Sequence, residues 1–159
     1  MSKKKNKDKK VFKKSVHIQN RKARFEYHLH DKYVAGIVLK GTEIKSIRMG
    51  KANLQGAFCF FIDEELFVRD MHISEYKMGN IHNHEEKADR KLLLSKRELK
   101  KISAKMEADN LTIVPTRLFI NDRGWAKLEI ALAKGKKLHD KRETIKKRDT
   151  QRDLERMRH

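Results

Sequence analysis

Three cations stand beside two aromatic residues early in the chain, a combination that suits contact with RNA. They are Arg21, Lys22 and Arg24, followed by Phe25 and Tyr27. Lysine and arginine neutralise phosphates, and an aromatic ring offers a surface on which an unpaired base can stack. Both rings could instead be ordinary core residues, and for Phe25 the core is the favoured interpretation.

A second basic group lies near the end of the chain. Its cations are Lys134, Lys136, Lys137, Lys141 and Arg142. They surround His139, whose ring can stack on a base, and Asp140, which can orient a neighbouring cation. A charge run of this kind is usually a solvated tail, and the pattern alone leaves that interpretation open.

Two further pairs of cations extend the candidate RNA surface. Lys45 and Arg48 are three residues apart and would share the outer face of a short helix. Arg90 and Lys91 stand at the mouth of an apolar strand, which is suggestive but common.

Catalysis and metal binding have weaker support in the sequence. A metal-dependent nuclease could use His82, His84 and Glu85, but their spacing is loose and no second histidine pair follows. No nucleophile elbow or glycine-rich phosphate loop is present. We therefore expect no enzyme activity, no metal and no cofactor.

Charge is concentrated at the two ends of the chain. The net charge is +18 over 159 residues; residues 1–14 carry +7 and residues 133–159 carry +6. Clustered cations indicate a polyanionic partner, and neither end has the apolar face that membrane binding needs. We expect a disordered basic arm (1–14), a folded body (15–132) and a basic tail (133–159) that is disordered when free and helical when bound.

The single cysteine, Cys59, cannot form an internal disulfide, which fits a reducing compartment. No apolar run is long enough for a membrane span. The sequence therefore predicts a soluble, cytoplasmic protein, and we expect a monomer.

Apolar alternation in the body predicts about six strands, mostly linked by hairpins. The clearest segments are 27–29 and 33–39 joined by a turn, 57–62 and 66–71, 111–114 and 117–120 separated by Pro115, and 125–132. A long loop covers residues 74–90.

Capping residues predict the helices. Asn20 begins a short helix, Thr42 caps a second, and Ser95 with Glu98 forms a capping box for a third that ends at Asn110. A mainly β fold with short helices follows, closing best as a small antiparallel OB-like barrel. An open α+β sheet is the alternative.

Four stretches resemble the SmpB family, the SsrA-binding proteins of bacteria. They occur in the family's order and spacing and are residues 20–27, 41–54, 90–94 and 133–142. The resemblance implies an OB-like barrel that binds the tRNA-like domain of transfer-messenger RNA. It also implies delivery of the alanylated RNA, with elongation factor Tu, to a stalled ribosome.

The resemblance assigns roles to two groups of residues. The RNA face would contain Asn20, Arg21, Lys22, Arg24 and Tyr27. The tail would enter the empty messenger path and decoding centre of the small subunit through Lys134, Lys136, Lys137, His139, Asp140, Lys141 and Arg142. Two positions depart from the family: Val34, where an acidic residue is usual, and the acidic loop 85–89, which lacks a proline.

Two non-enzymatic functions are therefore expected to compete. The first is an RNA-binding factor for trans-translation. The second is a ribosomal or ribosome-assembly protein, which would share the charge pattern but not the four motifs.

Overall fold

A computed structural model describes residues 16–79 and 82–158 of the chain. The predicted basic arm, residues 1–14, lies outside the described residues. Within them the order of elements is β1 (His17–Gln19), α1 (Arg21–Glu26), β2 (Tyr27–Ile37), α2 (Gly41–Arg48), β3 (Ala52–Asn53), β4 (Phe58–Ile62), β5 (Glu65–Arg69), β6 (His72–Ile73), β7 (Arg90–Leu93), α3 (Lys96–Asp109), β8 (Thr112–Ile120), β9 (Ala126–Gly135) and α4 (Leu138–Met157).

The strands form a mainly antiparallel sheet. Seven of them are hydrogen-bonded in the order β1-β8-β4-β5-β7-β2-β9, and an additional pairing joins β9 back to β8. Strands β3 and β6 form a separate pair. Together with the four helices of the described chain, this confirms the predicted mainly β class with more strands than the sequence indicated.

Alternation along the strands directs one side chain in two into a single core. On β4 and β5 the buried residues are Cys59, Leu66 and Val68. Leu128 and Ile130 of β9 are fully buried and belong to the same cluster. The thiol of Cys59 is buried, and this burial raises the pKa of Cys59 far above its usual range.

Strand β2 is continuous where the sequence predicted two strands and a turn. The register against β9 shifts between Leu29, opposite Ala133, and Lys32, opposite Ala131. One extra residue is therefore accommodated as a β-bulge, which bends the strand without ending it. Residues 30 and 31 form a bulge within a continuous strand, and the turn predicted between residues 29 and 33 is wrong.

Strand β8 likewise continues through Pro115, where an edge or end was predicted. Pro115 lies opposite Ile130 and Arg117 lies opposite Glu129, so Thr116 is an extra residue on β8. A proline lacks a backbone N–H, and a bulge is one of the few places in a sheet that tolerates this loss.

Strand β9 extends to Gly135, beyond the predicted end of the body at Leu132. Ala133 is completely buried and is paired with both Leu29 and Thr112. The first residue assigned to the tail is therefore part of the sheet. The long tail helix α4 begins later, at Leu138.

The helix boundaries follow the predicted caps with one exception. Ser95 accepts a hydrogen bond from the Glu98 amide, and Asn110 ends α3 in the left-handed conformation. Helix α2 is capped two residues earlier than predicted, at Lys40, whose backbone N–H donates to the Glu43 carboxylate at 2.8 Å. Thr42 lies inside α2.

The predicted long loop lies between β6 and β7. Its described residues, 74–79 and 82–89, include no strand and no α-helix. Within the described ranges, no helix combines the length and apolar character needed to cross a membrane.

Candidate nucleic-acid interface

Helix α1 is held against the sheet by the buried side chain of Asn20. The amide nitrogen donates to the carbonyls of Leu54 at 3.2 Å and Pro115 at 2.9 Å, while the amide oxygen accepts from Ala23. Only 4% of Asn20 is exposed. The predicted cap is confirmed, but a direct RNA contact by this side chain is wrong, because its hydrogen bonds are used inside the protein.

This anchor presents the cations of α1 to solvent. Arg21, Lys22 and Arg24 are all exposed. The Lys22 ammonium is 3.8 Å from the Glu26 carboxylate one turn later, an exposed pair that is weak in water. Helix α1 therefore forms a basic surface, and the hydrogen bonds of Asn20 fix the orientation of the helix on the sheet.

The two aromatic residues near α1 have different environments. Tyr27 is half-buried and packs against Ala23, Val114 and Ala133. Phe25 is half-buried, and its ring centroid lies 5.5 Å from the guanidinium carbon of Arg148 in α4. Phe25 was expected in the core; in the structure it is half-buried and contacts α4 instead.

Arg90 lies inside the protein, which corrects its assignment to the RNA face. It is 3% exposed, and its Nε donates to Glu43 at 2.7 Å. The remaining guanidinium nitrogens donate to the carbonyls of Met71, Glu85 and Glu86. Arg90 faces the same side of β7 as the buried Leu92, so strand alternation could have predicted this.

The other predicted cations of this group are on the surface. Lys91 pairs with Glu65 at 2.9 Å, and the Lys45 ammonium lies 5.4 Å from the centroid of Tyr76. Arg48 is half-buried and donates to the carbonyl of Gly124 at 3.5 Å. None of these contacts joins them to α1.

His84 has a structural role that removes it from the candidate metal site. Its Nε2 lies 3.0 Å from the carbonyl oxygen of Ile73, so this nitrogen carries the proton. Its Nδ1 then accepts from the Thr42 hydroxyl at 2.9 Å. Both ring nitrogens are occupied and His84 is 3% exposed. The nuclease alternative therefore loses its central ligand.

The base of the tail helix is attached to the body close to α1. The backbone N–H of Lys136 donates to the carbonyl of Glu26 at 2.8 Å, and the Lys136 ammonium bonds Thr144 at 3.1 Å. The Lys137 amide donates to Asp140 at 3.2 Å, capping α4.

Asp140 also contacts the body directly. His28 Nε2 lies 3.3 Å from Asp140 Oδ2, and this hydrogen bond, with the Lys137 amide, lowers the pKa of Asp140 below its usual range. His139 is exposed and lies within ion-pair distance of Asp140 and Glu143. The ligand atoms of these three groups lie within 4.8 Å of one another, close enough to share an ion, while Asp140 also bonds His28 and the Lys137 amide.

Most of the predicted tail cations point into solvent. Lys134, Lys137 and Arg142 are exposed and Lys141 is half-buried. No side chain of α4 is buried. The helix therefore exposes most of its basic side chains and contacts the body through its first turn and through Arg148.

Comparison with known proteins places these features in one family. Residues 17–159 match the family model described as SmpB protein. An SsrA-binding protein of Flavobacterium psychrophilum is 58% identical over 91% of this chain and 96% of its own length. One from Bacteroides thetaiotaomicron is 58% identical over 90% of this chain and 95% of its own length.

A solved structure is also similar. It is described as "tmRNA-SmpB: a journey to the center of the bacterial ribosome" and matches with a TM-score of 0.67 at 41% identity. The match covers 82% of this chain and 94% of that chain.

Proposed function

This chain belongs to the SmpB family of SsrA-binding proteins, and we propose that it binds transfer-messenger RNA and acts in trans-translation. One structural observation carries the proposal. The buried Asn20 fixes α1 against the sheet so that Arg21 and Arg24 face solvent together. Two exposed arginines on an anchored helix suit the phosphates of a folded RNA.

The body is proposed to form an OB-like barrel around this face. The pairings run from β8 through β4, β5, β7, β2 and β9 and return to β8, which supports a closed arrangement. Bulges in β2 and β8 bend two of the strands, as closure requires. The RNA-contacting residues would be Arg21, Lys22, Arg24 and Tyr27, with Lys45, Arg48 and Lys91 at the periphery.

The tail is proposed to serve the ribosome rather than the transfer-messenger RNA. Helix α4 exposes its cations and buries no side chain, so a ribosomal RNA groove could surround it. The residues carrying this contact would be Lys134, Lys136, Lys137, His139, Asp140, Lys141 and Arg142, placed in the empty messenger path and decoding centre.

The remaining parts of the proposal concern partners and location. The protein would work as a cytoplasmic monomer without catalytic activity of its own. Elongation factor Tu would join it through the alanylated RNA. Two observations support a binding factor: the high positive charge of the chain, and the exposure of α4, none of whose side chains is buried.

The test is recovery of RNA from a bacterial lysate by the tagged full-length chain, followed by sizing and sequencing. We expect one structured RNA of several hundred nucleotides, identified as transfer-messenger RNA. Recovery of ribosomal RNA alone would favour a ribosomal or assembly protein. The Arg21→Ala, Arg24→Ala double variant provides the control, because it should recover much less of the specific RNA.

A further inference from the structure

Three phenylalanines lie on the outer face of the sheet, outside the hydrophobic core. On β4, Cys59 and Phe61 face inward, so Phe58 and Phe60 face outward. On β5, Phe67 is directly opposite Phe60 and shares its face. Phe58 is 37% exposed, and Phe60 and Phe67 are half-buried. A contiguous apolar patch on a protein surface often marks an interaction site.

The three rings form a continuous surface. The centroids of Phe58 and Phe60 are 6.0 Å apart, and those of Phe60 and Phe67 are 6.1 Å apart at an interplanar angle of 28°. The guanidinium of Arg69 lies 4.2 Å from the Phe60 centroid. Aromatic and guanidinium planes are the groups on which unpaired bases stack.

This surface continues into the proposed RNA face. A cavity of about 180 Å³ separates α1 from the start of β4 and is lined by Lys22, Tyr27 and Phe58 among others. It is smaller than a site for a drug-sized ligand, so it suits one part of a larger molecule. Phe58 therefore belongs to both surfaces, and RNA bound at α1 could continue across it onto β4 and β5.

Resting on the proposed function, we propose that the outer face of β4 and β5 stacks unpaired nucleotides of the transfer-messenger RNA, through Phe58, Phe60 and Phe67. The cations of this face already have acidic partners: Arg69 with Asp89 and Lys91 with Glu65. The face thus contributes rings rather than free charge, while α1 supplies the phosphate contacts. Continuity with α1 favours RNA over a protein as the occupant.

This division of roles predicts two different dependences on salt. Removing a phosphate contact reduces the slope of log K against log salt, whereas removing a stacked ring should leave the slope unchanged. Phe58→Ala and Phe60→Ala should each weaken binding of transfer-messenger RNA roughly tenfold. Phe60→Tyr keeps the ring and should bind normally, while Phe60→Leu keeps apolar surface without the ring and should bind as weakly as Phe60→Ala.

Ile62 provides a matched control for the same strand and face. It is 45% exposed and has no ring, so Ile62→Ala should leave RNA affinity unchanged. A second measurement needs no variant. Ultraviolet cross-linking of the wild-type complex, followed by trypsin, should attach nucleotides to the peptide 52–69, which contains all three rings.

The outcomes separate this inference from the proposed function. If the wild-type chain does not bind transfer-messenger RNA, both are overturned. If it binds, and folded Phe58→Ala and Phe60→Ala bind equally well with no cross-link in peptide 52–69, only the stacking face is overturned. If the wild-type chain is found to self-associate, and Phe60→Ala abolishes this while RNA binding stays intact, the face belongs to a second copy of the chain, which also overturns the stacking face.

Discussion

His28 and Asp140 join the first long strand of the body to the first turn of the tail helix, with 3.3 Å between Nε2 and Oδ2. The contact is reinforced by the Lys136 amide on the Glu26 carbonyl and by Arg148 over the ring of Phe25. Since α1 carries the proposed RNA-binding cations, the tail helix starts next to the proposed RNA-binding surface.

The His28–Asp140 contact predicts a measurable change in one titration. The hydrogen bond from His28 is the largest cause that lowers the pKa of Asp140. His28→Ala should therefore raise the Asp140 pKa toward the ordinary carboxyl value of about 3.9, measured by side-chain NMR. His30→Ala, two residues away on the bulge, is the control and should leave that titration unchanged. An unaltered Asp140 pKa in His28→Ala would contradict the contact.

The sign of the corresponding pH dependence follows from linkage. A carboxyl group whose folded pKa is depressed stabilises the folded state above its unfolded pKa and loses that contribution as the pH falls through the folded pKa. Attachment of the α4 base should therefore be complete near neutral pH and weaken only in strong acid. The protection factors of the Lys141 and Thr144 amides, which compare each exchange rate with the intrinsic rate at the same pH, should be high at pH 6 and lower at about pH 3.

The α1 cations predict a change in salt dependence. Arg21→Ala and Arg24→Ala should each remove about one phosphate contact and reduce the slope of log K against log salt by about one. The matched control is Arg97→Ala, since Arg97 is an exposed arginine on α3. Unchanged affinity and slope in both α1 variants would show that this helix is not the binding surface.

Because Arg90 is buried, its substitution should lower the stability of the fold without removing an RNA contact. Arg90→Ala would leave the Glu43 carboxylate buried without its partner and should cost about 3–5 kcal/mol of unfolding free energy. Lys91→Ala, next to it but exposed and paired with Glu65, should change stability by at most about 1 kcal/mol. Urea denaturation measures both. Equal, small effects would contradict the buried ion pair.

The sequence predicted local features better than long-range ones. The Asn20 cap, the Ser95 capping box and the left-handed Asn110 depend on neighbours within four residues, and all three occur as predicted. Strand β2 was divided because His30-Asp31-Lys32 is polar and turn-like. Its pairing with β9 on both sides of the bulge is a long-range interaction that no local pattern shows.

The candidate site shows the same distinction. Residue type correctly placed Arg21, Lys22 and Arg24 on the surface. It failed for Arg90 and His84, which are polar residues buried by partners distant in the chain: Glu43 for Arg90, and Thr42 with Ile73 for His84. The outward rings of β4 were missed because residues 58–62 are all apolar, so their pattern does not distinguish the inner face of the strand from the outer one.

The end of β9 predicts where the chain can be cut. A chain ending at Leu132 would lose Ala133, which is buried and paired on both sides, and the last pairs of β9 with β2. We expect its thermal midpoint to fall by several degrees, because each lost backbone hydrogen bond costs about 1 kcal/mol. A chain ending at Lys137 keeps all of β9 and should melt close to the full-length protein. Equal midpoints for the two truncations would contradict the extended strand.

Substitutions in the tail should impair function on the ribosome while leaving the binding of transfer-messenger RNA nearly unchanged. Asp140→Ala, Lys141→Ala and Arg142→Ala together remove two cations from α4 but none from α1, so affinity for transfer-messenger RNA should stay within a few-fold of wild type. The same variant should not support tagging on ribosomes stalled at the end of a messenger, because the tail loses phosphate contacts in the messenger path. Because Asp140 also contacts His28, His28→Ala is the essential control: it removes the contact of Asp140 with the body but keeps every tail cation. Tagging by His28→Ala together with failure of the triple variant would assign the defect to the ribosome contact. Failure of both would assign it to the attachment of α4, and parallel loss of RNA binding and tagging in the triple variant would place these residues on the transfer-messenger RNA instead.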